Sequence, residues 1–274
     1  TRRPPIPDKI YTVSVQTDSM SEGPIKSAGT MVEIIQALQK HDRIGVRELA
    51  GKLSIPRSTV SEHLRTLEYH NLATASSEGY QLSLRLLEIG IQTRNERPIY
   101  KATKSEMSDL ASKTGAHAGI GVEEFGRGVL LDSWKDENAS ELPFHDYPGI
   151  RMRMHTSGIG KAILAHHPLE RVEAILDMHG IPQATENTIS DRDELLNELE
   201  TIRERGFSIS RGESIQGLFS IGAPIFDRTG TVEGAISVYG PIGNLKGSFV
   251  DRVSEAVIQT ANVCEMNLRY EMER

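Results

Sequence analysis

Six residues between Ile55 and Asn71 carry groups suited to a polyanion: Arg57, Ser58, Thr59, Ser61, Glu62 and Arg65. Short hydroxyls and long cationic donors bond phosphate oxygens, and the same groups read base edges in a major groove. Val60, Leu64 and Leu67 recur at helical spacing and form a stripe to be buried. Pro56 stands where a helix begins and Asn71 where one ends. An ordinary amphipathic surface helix has the same pattern, so the flanking elements must decide.

A second set lies further on. Gly158-Ile159-Gly160-Lys161 opens a helical stretch. It lacks the spacing and the Ser/Thr after the lysine that a nucleotide-phosphate loop needs. A glycine turn at a helix start is still a generic anion site, because free N–H groups point outward there. The alternative is a tight turn that simply requires glycines. Lys161 reads as a helix-surface or structural charge. In the run Val232–Tyr239 a strand period puts Ser237 and Tyr239 on one face, and in Leu218–Phe226 it puts Leu218 and Ser220 together. If the turn at Asp227–Gly230 makes a hairpin of these runs, the hydroxyls of Ser220, Ser237 and Tyr239 converge.

Other reactive residue types carry less. His155, His166, His167 and His179 show no i, i+4 pair and read as solvated or capping, so no metal is expected. His145-Asp146 reads as loop rather than as a dyad. Cys264 has no basic neighbour in sequence and reads as a buried structural thiol. Trp134, the only tryptophan, reads as core.

The elements that must position these groups follow from periodicity. Helices are predicted at Ser27–Lys40 and Val46–Leu53, with Ser54 and Ile55 turning into the helix that carries Arg57. Leu72–Ala75 and Tyr80–Leu82 are predicted as a hairpin. Three helices and a hairpin make a winged helix-turn-helix. The pair Leu84–Arg97 and Pro98–Lys113 has apolar stripes with little nearby to bury them, and is the expected dimerisation element. Strands follow at His117–Val122 and Gly128–Trp134, then helices at Gly158–His166 and Pro168–His179. A helix capped by Ser190 and Asp193 runs to Gly206. Strands at Phe207–Ser210, Leu218–Phe226 and Val232–Tyr239 precede a long helix over Ser248–Met272. Residues 1–24 read as a disordered arm.

With 274 residues the chain has length for two domains. Their expected extents are 25–97 and 98–274. One cysteine excludes an internal disulfide and a zinc ribbon. No apolar run is long enough to span a membrane and no signal-peptide core is visible, so a cytoplasmic protein is expected. The net charge of −7 is uneven: residues 1–97 hold 13 Lys+Arg against 11 Asp+Glu, and residues 98–274 hold 18 against 27. A front half at +2 and a rear at −9 direct only the front toward nucleic acid.

At this level the chain resembles an IclR-type transcriptional regulator. In front, ELAGKLSIPRSTVSEHLRTLE followed by GYQLSLRLLEIG resembles the family's winged helix and linker start. Behind, MHTSGIGKAILA and ERGFSISRGESIQGLFSIGAPIFDRTGTVEGAISVYGP resemble its rear signatures. The resemblance implies an α+β two-domain protein, with an N-terminal winged helix-turn-helix, linker helices and a C-terminal GAF-like antiparallel sheet flanked by helices. It implies a homodimer or dimer of dimers on a palindromic double-stranded operator, and a small organic acid as effector, with no cofactor.

It also places the Gly158–Ile159 turn over the hydroxyl cluster, with Ser210 at its edge, so Gly158, Ile159, Ser210, Ser220, Ser237 and Tyr239 are the expected effector contacts. The sequence departs from the family at Glu62, where many members have arginine, and at Ser220, Ser210 and Tyr239, where a cysteine, an acid and a serine are common. Loss of an acid at Ser210 favours an anionic ligand, and Tyr239 is expected to shrink the pocket or stack on a ring. Two other readings are an enzyme acting through Ser220, Ser237 or Lys161, against which no nucleophile elbow is present, and a ligand-free dimerisation module.

Overall fold

The computed structural model describes residues 25–244 and 247–272. The predicted arm at 1–24 lies outside them. The chain forms two compact units, which part between Thr93 and Arg94.

In the front unit, α1 (Lys26–Gln39), α2 (Val46–Leu53) and α3 (Arg57–Tyr69) pack through Ile34, Leu38, Leu49, Val60, Leu64 and Leu67, all essentially without solvent contact. The turn from α2 into α3 is made by Ser54 in the left-handed conformation, φ 55°. The N–H of Ile55 then bonds back to the Ala50 carbonyl. Strands β1 (Ala73–Ser76) and β2 (Gly79–Leu82) are the wing. Ile44 pairs with Tyr80 through two backbone hydrogen bonds, which ties the wing to the α1–α2 connection. Gly79, at φ +131°, is required there: a Cβ would lie 2.6 Å from the Ile44 carbonyl. Arg43 locks the turn by donating to Ser76, Glu78 and Gln81.

The helix α4 (Arg85–Glu96) buries no residue, and Leu84, Leu87, Ile89 and Ile91 are exposed on or beside it. The helix α5 (Pro98–Thr114) behaves differently from expectation. Its apolar stripe, Ile99, Met107, Leu110 and Ala111, is buried within its own unit against α9 (Gly247–Glu271), through Val253, Val257, Ala261, Cys264 and Leu268. Of the helix pair expected to have uncovered apolar stripes, only α4 keeps one. Sequence could not show this, because the partner helix lies some 150 residues away along the chain.

The rear unit is built on a six-stranded antiparallel sheet in the order β5-β4-β3-β8-β7-β6. The strands are β3 (His117–Glu124), β4 (Arg127–Lys135), β5 (Arg151–Met152), β6 (Ser208–Arg211), β7 (Leu218–Phe226) and β8 (Val232–Pro241). The two-residue edge strand β5 has no period of its own and was not predicted. One sheet face carries Ile120, Ile221, Ala223, Ile236 and Val238 against α5 and α9. The other packs against α6 (Gly158–His166), α7 (Leu169–His179) and α8 (Arg192–Arg205) through Leu164, Val172, Ile175 and Leu199. The cap of α8 differs from expectation: Asp191 is the N-cap residue, its carboxylate accepting from the Glu194 N–H at 2.9 Å. Ser190 lies outside the helix, one residue before the N-cap position that Asp191 takes.

Candidate functional site

On the front unit, Arg57, Ser58, Glu62 and Arg65 are exposed along one side of α3, and Thr59 and Ser61 are half-buried beside them. Val60, Leu64 and Leu67 anchor the opposite side. Pro56 occupies the N-cap position without a side-chain cap. The first-turn N–H groups of α3 thus remain open to an acceptor such as phosphate, next to Arg57. Rigid burial of one face and free donors on the other is what groove insertion requires.

On the rear unit, a cavity opens on the sheet face that packs against α6. All six residues expected to contact effector line it: Gly158, Ile159, Ser210, Ser220, Ser237 and Tyr239. About 70 Å³ is accessible to the centre of a water molecule, several times the roughly 10–15 Å³ one water needs. The strand register explains the convergence. Ser210, Ser220, Tyr239 and His117 are successive partners across β6, β7, β8 and β3. Ser208, Gly222, Ser237 and Gly119 form the next row on the same face. Apolar walls come from Leu130, Ile150, Met152 and Leu218.

The polar groups divide by what already holds them. Ser210 is 2% exposed and donates to the Thr156 carbonyl at 2.8 Å, so it is fixed in the wall rather than free at the edge. The Gly158 N–H donates to Ser220 Oγ at 2.8 Å, and the Gly160 N–H to Ser157 Oγ at 3.0 Å. Of the two backbone donors expected to hold an anion, only the Ile159 N–H meets no acceptor among the described residues. Ser237 is 2% exposed, and its hydroxyl has no hydrogen-bond partner among the described residues.

The glycines of the turn have a packing role as well. A Cβ on Gly160 would lie 2.2 Å from the Met154 carbonyl oxygen, and one on Gly158 would lie 2.9 Å from Ser220 Oγ.

Three residues acquire surroundings that their sequence neighbours do not show. Asp146 is not simple loop. It lines the cavity, accepts from Tyr239 Oη at 2.5 Å and stands 3.7 Å from His117 Nδ1. Burial works to raise its pKa, but the neighbouring His117 ring and the hydrogen bond from Tyr239 outweigh that and hold the carboxyl at about 2. Asp146 thus puts a carboxylate on the cavity wall at a position separate from Ser210. His117 stacks on the Tyr239 ring at 5.5 Å, and its Nε2 bonds the Ser140 carbonyl. No local period marks Asp146, because a loop residue acquires its neighbours only when the loop folds back over the sheet.

Of the two readings given to Lys161, helix-surface or structural charge, the structure fits the second. Lys161 is 1% exposed, donates to Glu213 Oε1 and the Ile209 carbonyl at 2.8 and 2.7 Å, and lies 3.5 Å from Glu198. His155 is not solvated but 3% exposed, and burial lowers its pKa to about 4. Cys264 is fully buried, and burial raises its thiol to about 12, which leaves it protonated and unreactive. Among the described residues, no group of three His, Cys, Asp or Glu side chains is placed to hold a metal ion.

Two family models match the chain. Residues 91–265 match "Bacterial transcriptional regulator IclR C-terminal", and residues 29–68 match "Winged helix-turn-helix DNA-binding". A probable HTH-type transcriptional regulator, ArcR of Halobacterium salinarum, is 32% identical over 89% of this chain and 94% of its own. The HTH-type transcriptional regulator KdgR of Dickeya chrysanthemi is 29% identical over 85% and 74%. In structure, the Thermotoga maritima IclR superposes with a TM-score of 0.75 at 23% identity, covering 89% of this chain and 99% of that one. An IclR homologue from Microbacterium hydrocarbonoxydans, solved with 4-hydroxybenzoate, superposes with a TM-score of 0.73 at 19% identity, covering 88% and 99%. Fold, winged helix and rear signature agree along nearly the whole length: the chain belongs to the IclR family of DNA-binding transcriptional regulators.

Proposed function

We propose that this regulator reads a palindromic operator with the Arg57–Arg65 face of α3, as a homodimer or dimer of dimers, and senses a small organic acid in the rear cavity. The residues at 25–97 serve DNA and those from 98 onward serve the effector, in the cytoplasm. One observation carries the effector reading: Ser237 presents a hydroxyl without a hydrogen-bond partner among the described residues to a cavity that also receives the Ile159 N–H. A hydroxyl that opens on the cavity donates to a ligand acceptor without breaking a bond within the protein. The Ser220 hydroxyl accepts from Gly158 and keeps its own proton to donate. One backbone donor at a helix start and two strand hydroxyls suit a carboxylate, and the helix dipole adds to the first. Crystallisation of a same-fold regulator with 4-hydroxybenzoate supports this class of ligand.

The experiment is calorimetry of the full chain with a panel of small organic acids, alongside operator gel shifts. An acid that binds the parent, fails with Ser237→Ala and alters the gel shift of the parent alone is the expected result. Equal responses from parent and variant would move the effector site elsewhere.

A further inference from the structure

Between Arg57 and Arg65 the exposed side of α3 carries a single acid, Glu62. At about 100° per residue, Glu62 lies roughly 140–160° around the helix from each of the buried residues Val60, Leu64 and Leu67. It therefore stands opposite the stripe that packs α3 onto its own unit, with Ser58 one turn before it and Arg65 nearly one turn after it. In a winged helix-turn-helix that side of the second helix addresses the base edges of the major groove.

The carboxylate is free. No ion pair or hydrogen bond holds it among the described residues, although Arg65 stands three positions on. Comparable spacings do form pairs elsewhere in the chain: Arg85 with Glu88 at 2.7 Å, and Lys52 with Glu48 at 3.6 Å. The Thr66 hydroxyl donates to the Glu62 backbone carbonyl at 2.9 Å and leaves the side chain alone. A phosphate repels such a group. Guanine offers the major groove two acceptors, and thymine an acceptor and a methyl, so neither donates to a carboxylate. Adenine sets its amino donor beside the N7 acceptor, which opposes the second carboxylate oxygen. Cytosine alone presents an amino donor with no acceptor next to it.

We propose that Glu62 determines operator specificity, by accepting from the N4 amino group of one cytosine in each half-site. Another base at that position sets the carboxylate against an acceptor or a methyl group. This rests on the reading of α3 as the operator-facing helix and names one base of that operator.

The test selects duplexes from a pool randomised over about 30 base pairs, room for two half-sites one or two helical turns apart. The full chain is used as parent, as Glu62→Ala and as Glu62→Gln. The parent is expected to enrich a symmetric motif with a C·G pair that Glu62→Ala lets vary while the other positions are retained. Glu62→Gln moves that position to adenine, which an amide bonds at N6 and N7. Gel shifts on the enriched duplex and its three single-base variants give the size. The parent favours cytosine by roughly 5–100-fold, the discrimination one good base contact supplies, and Glu62→Ala brings the ratio near one. The site is exposed and both replacements are good helix formers, so both variants should melt like the parent.

Tighter binding of every duplex by Glu62→Ala, with the parent's motif intact, would mark a carboxylate that only repels phosphate and would overturn the proposal. A motif unchanged in affinity and in every position does the same, as does a relaxed position that held a base other than cytosine. In those cases weakened binding by Arg57→Ala leaves the reading of α3 standing. A parent that enriches no motif overturns both.

Discussion

Lys161 and Glu213 form an ion pair of 2.8 Å in the interior of the rear unit, from positions 52 residues apart. The ammonium is 1% exposed and also donates to the Ile209 carbonyl, so helix α6 is tied to the β6 strand and to the segment after it. Burial raises the pKa of Glu213 while the Lys161 charge opposes the rise. Such a pair contributes little against an apolar substitute, yet breaking it by removing one partner leaves a buried charge. Lys161→Met is expected to cost about 3–5 kcal/mol of unfolding free energy. The double variant Lys161→Met with Glu213→Leu recovers much of that. Urea unfolding of the two variants and the parent gives the comparison, and equal losses in both would refute a pairing role.

Stability should fall with acidity through His155. The unfolded chain takes up a proton near the ordinary histidine pKa of 6.5, whereas the folded chain resists until about 4. The unfolded state therefore binds more protons between these values, and stability drops as pH falls from 6.5 toward 4. The full effect is about 3 kcal/mol at one residue. Melting temperatures measured over that window should show a shallower slope for His155→Gln than for the parent. Parallel slopes would assign the acid sensitivity to other groups.

Arg57→Ala is expected to weaken binding to all DNA sequences alike and to flatten the salt dependence by about one unit of log K against log salt, the mark of one phosphate contact. Arg65→Ala either does the same or relaxes discrimination at one base position, at about 1–3 kcal/mol. Operator and scrambled duplexes compared by gel shift at several salt concentrations separate the two. Parent-like behaviour in both variants would mean that α3 does not enter the groove.

Exposed Leu84, Leu87 and Ile91 give α4 an unburied apolar side, at 81%, 58% and 42% exposure. Charge placed on that side should reduce assembly. Leu87→Glu with Ile91→Glu is expected to sediment as a smaller species than the parent at micromolar concentration and to lose operator affinity, since one recognition helix covers too few base pairs for a specific site. An unchanged sedimentation coefficient would place the interface elsewhere.

Gly160→Val is expected to damage folding rather than ligand binding alone. Its added atoms would enter the Met154 carbonyl, and backbone there cannot yield. A lowered melting temperature without ligand present is the expected reading, in contrast to Ser237→Ala, which should melt like the parent.

The sequence by itself determined the kind and order of most elements. Helical spacing in Val60, Leu64 and Leu67 and strand spacing in Ser237 and Tyr239 are local properties that the chain carries before it folds. That local period, joined to the family resemblance, was enough to bring six cavity residues together in advance, because antiparallel register converts a period of two into rows across the sheet. Tertiary structure decided what depended on distant partners. It made Lys161 interior by bringing Glu213 to it, and turned Asp146 from a loop residue into the charged wall of the cavity by folding its loop against His117 and Tyr239. It also buried the stripe of α5 under α9, leaving α4 alone uncovered. In each case the deciding contact spans dozens of residues or more, and no local pattern of polarity records which distant side chain will supply the other half of an ion pair, a hydrogen bond or a packed face.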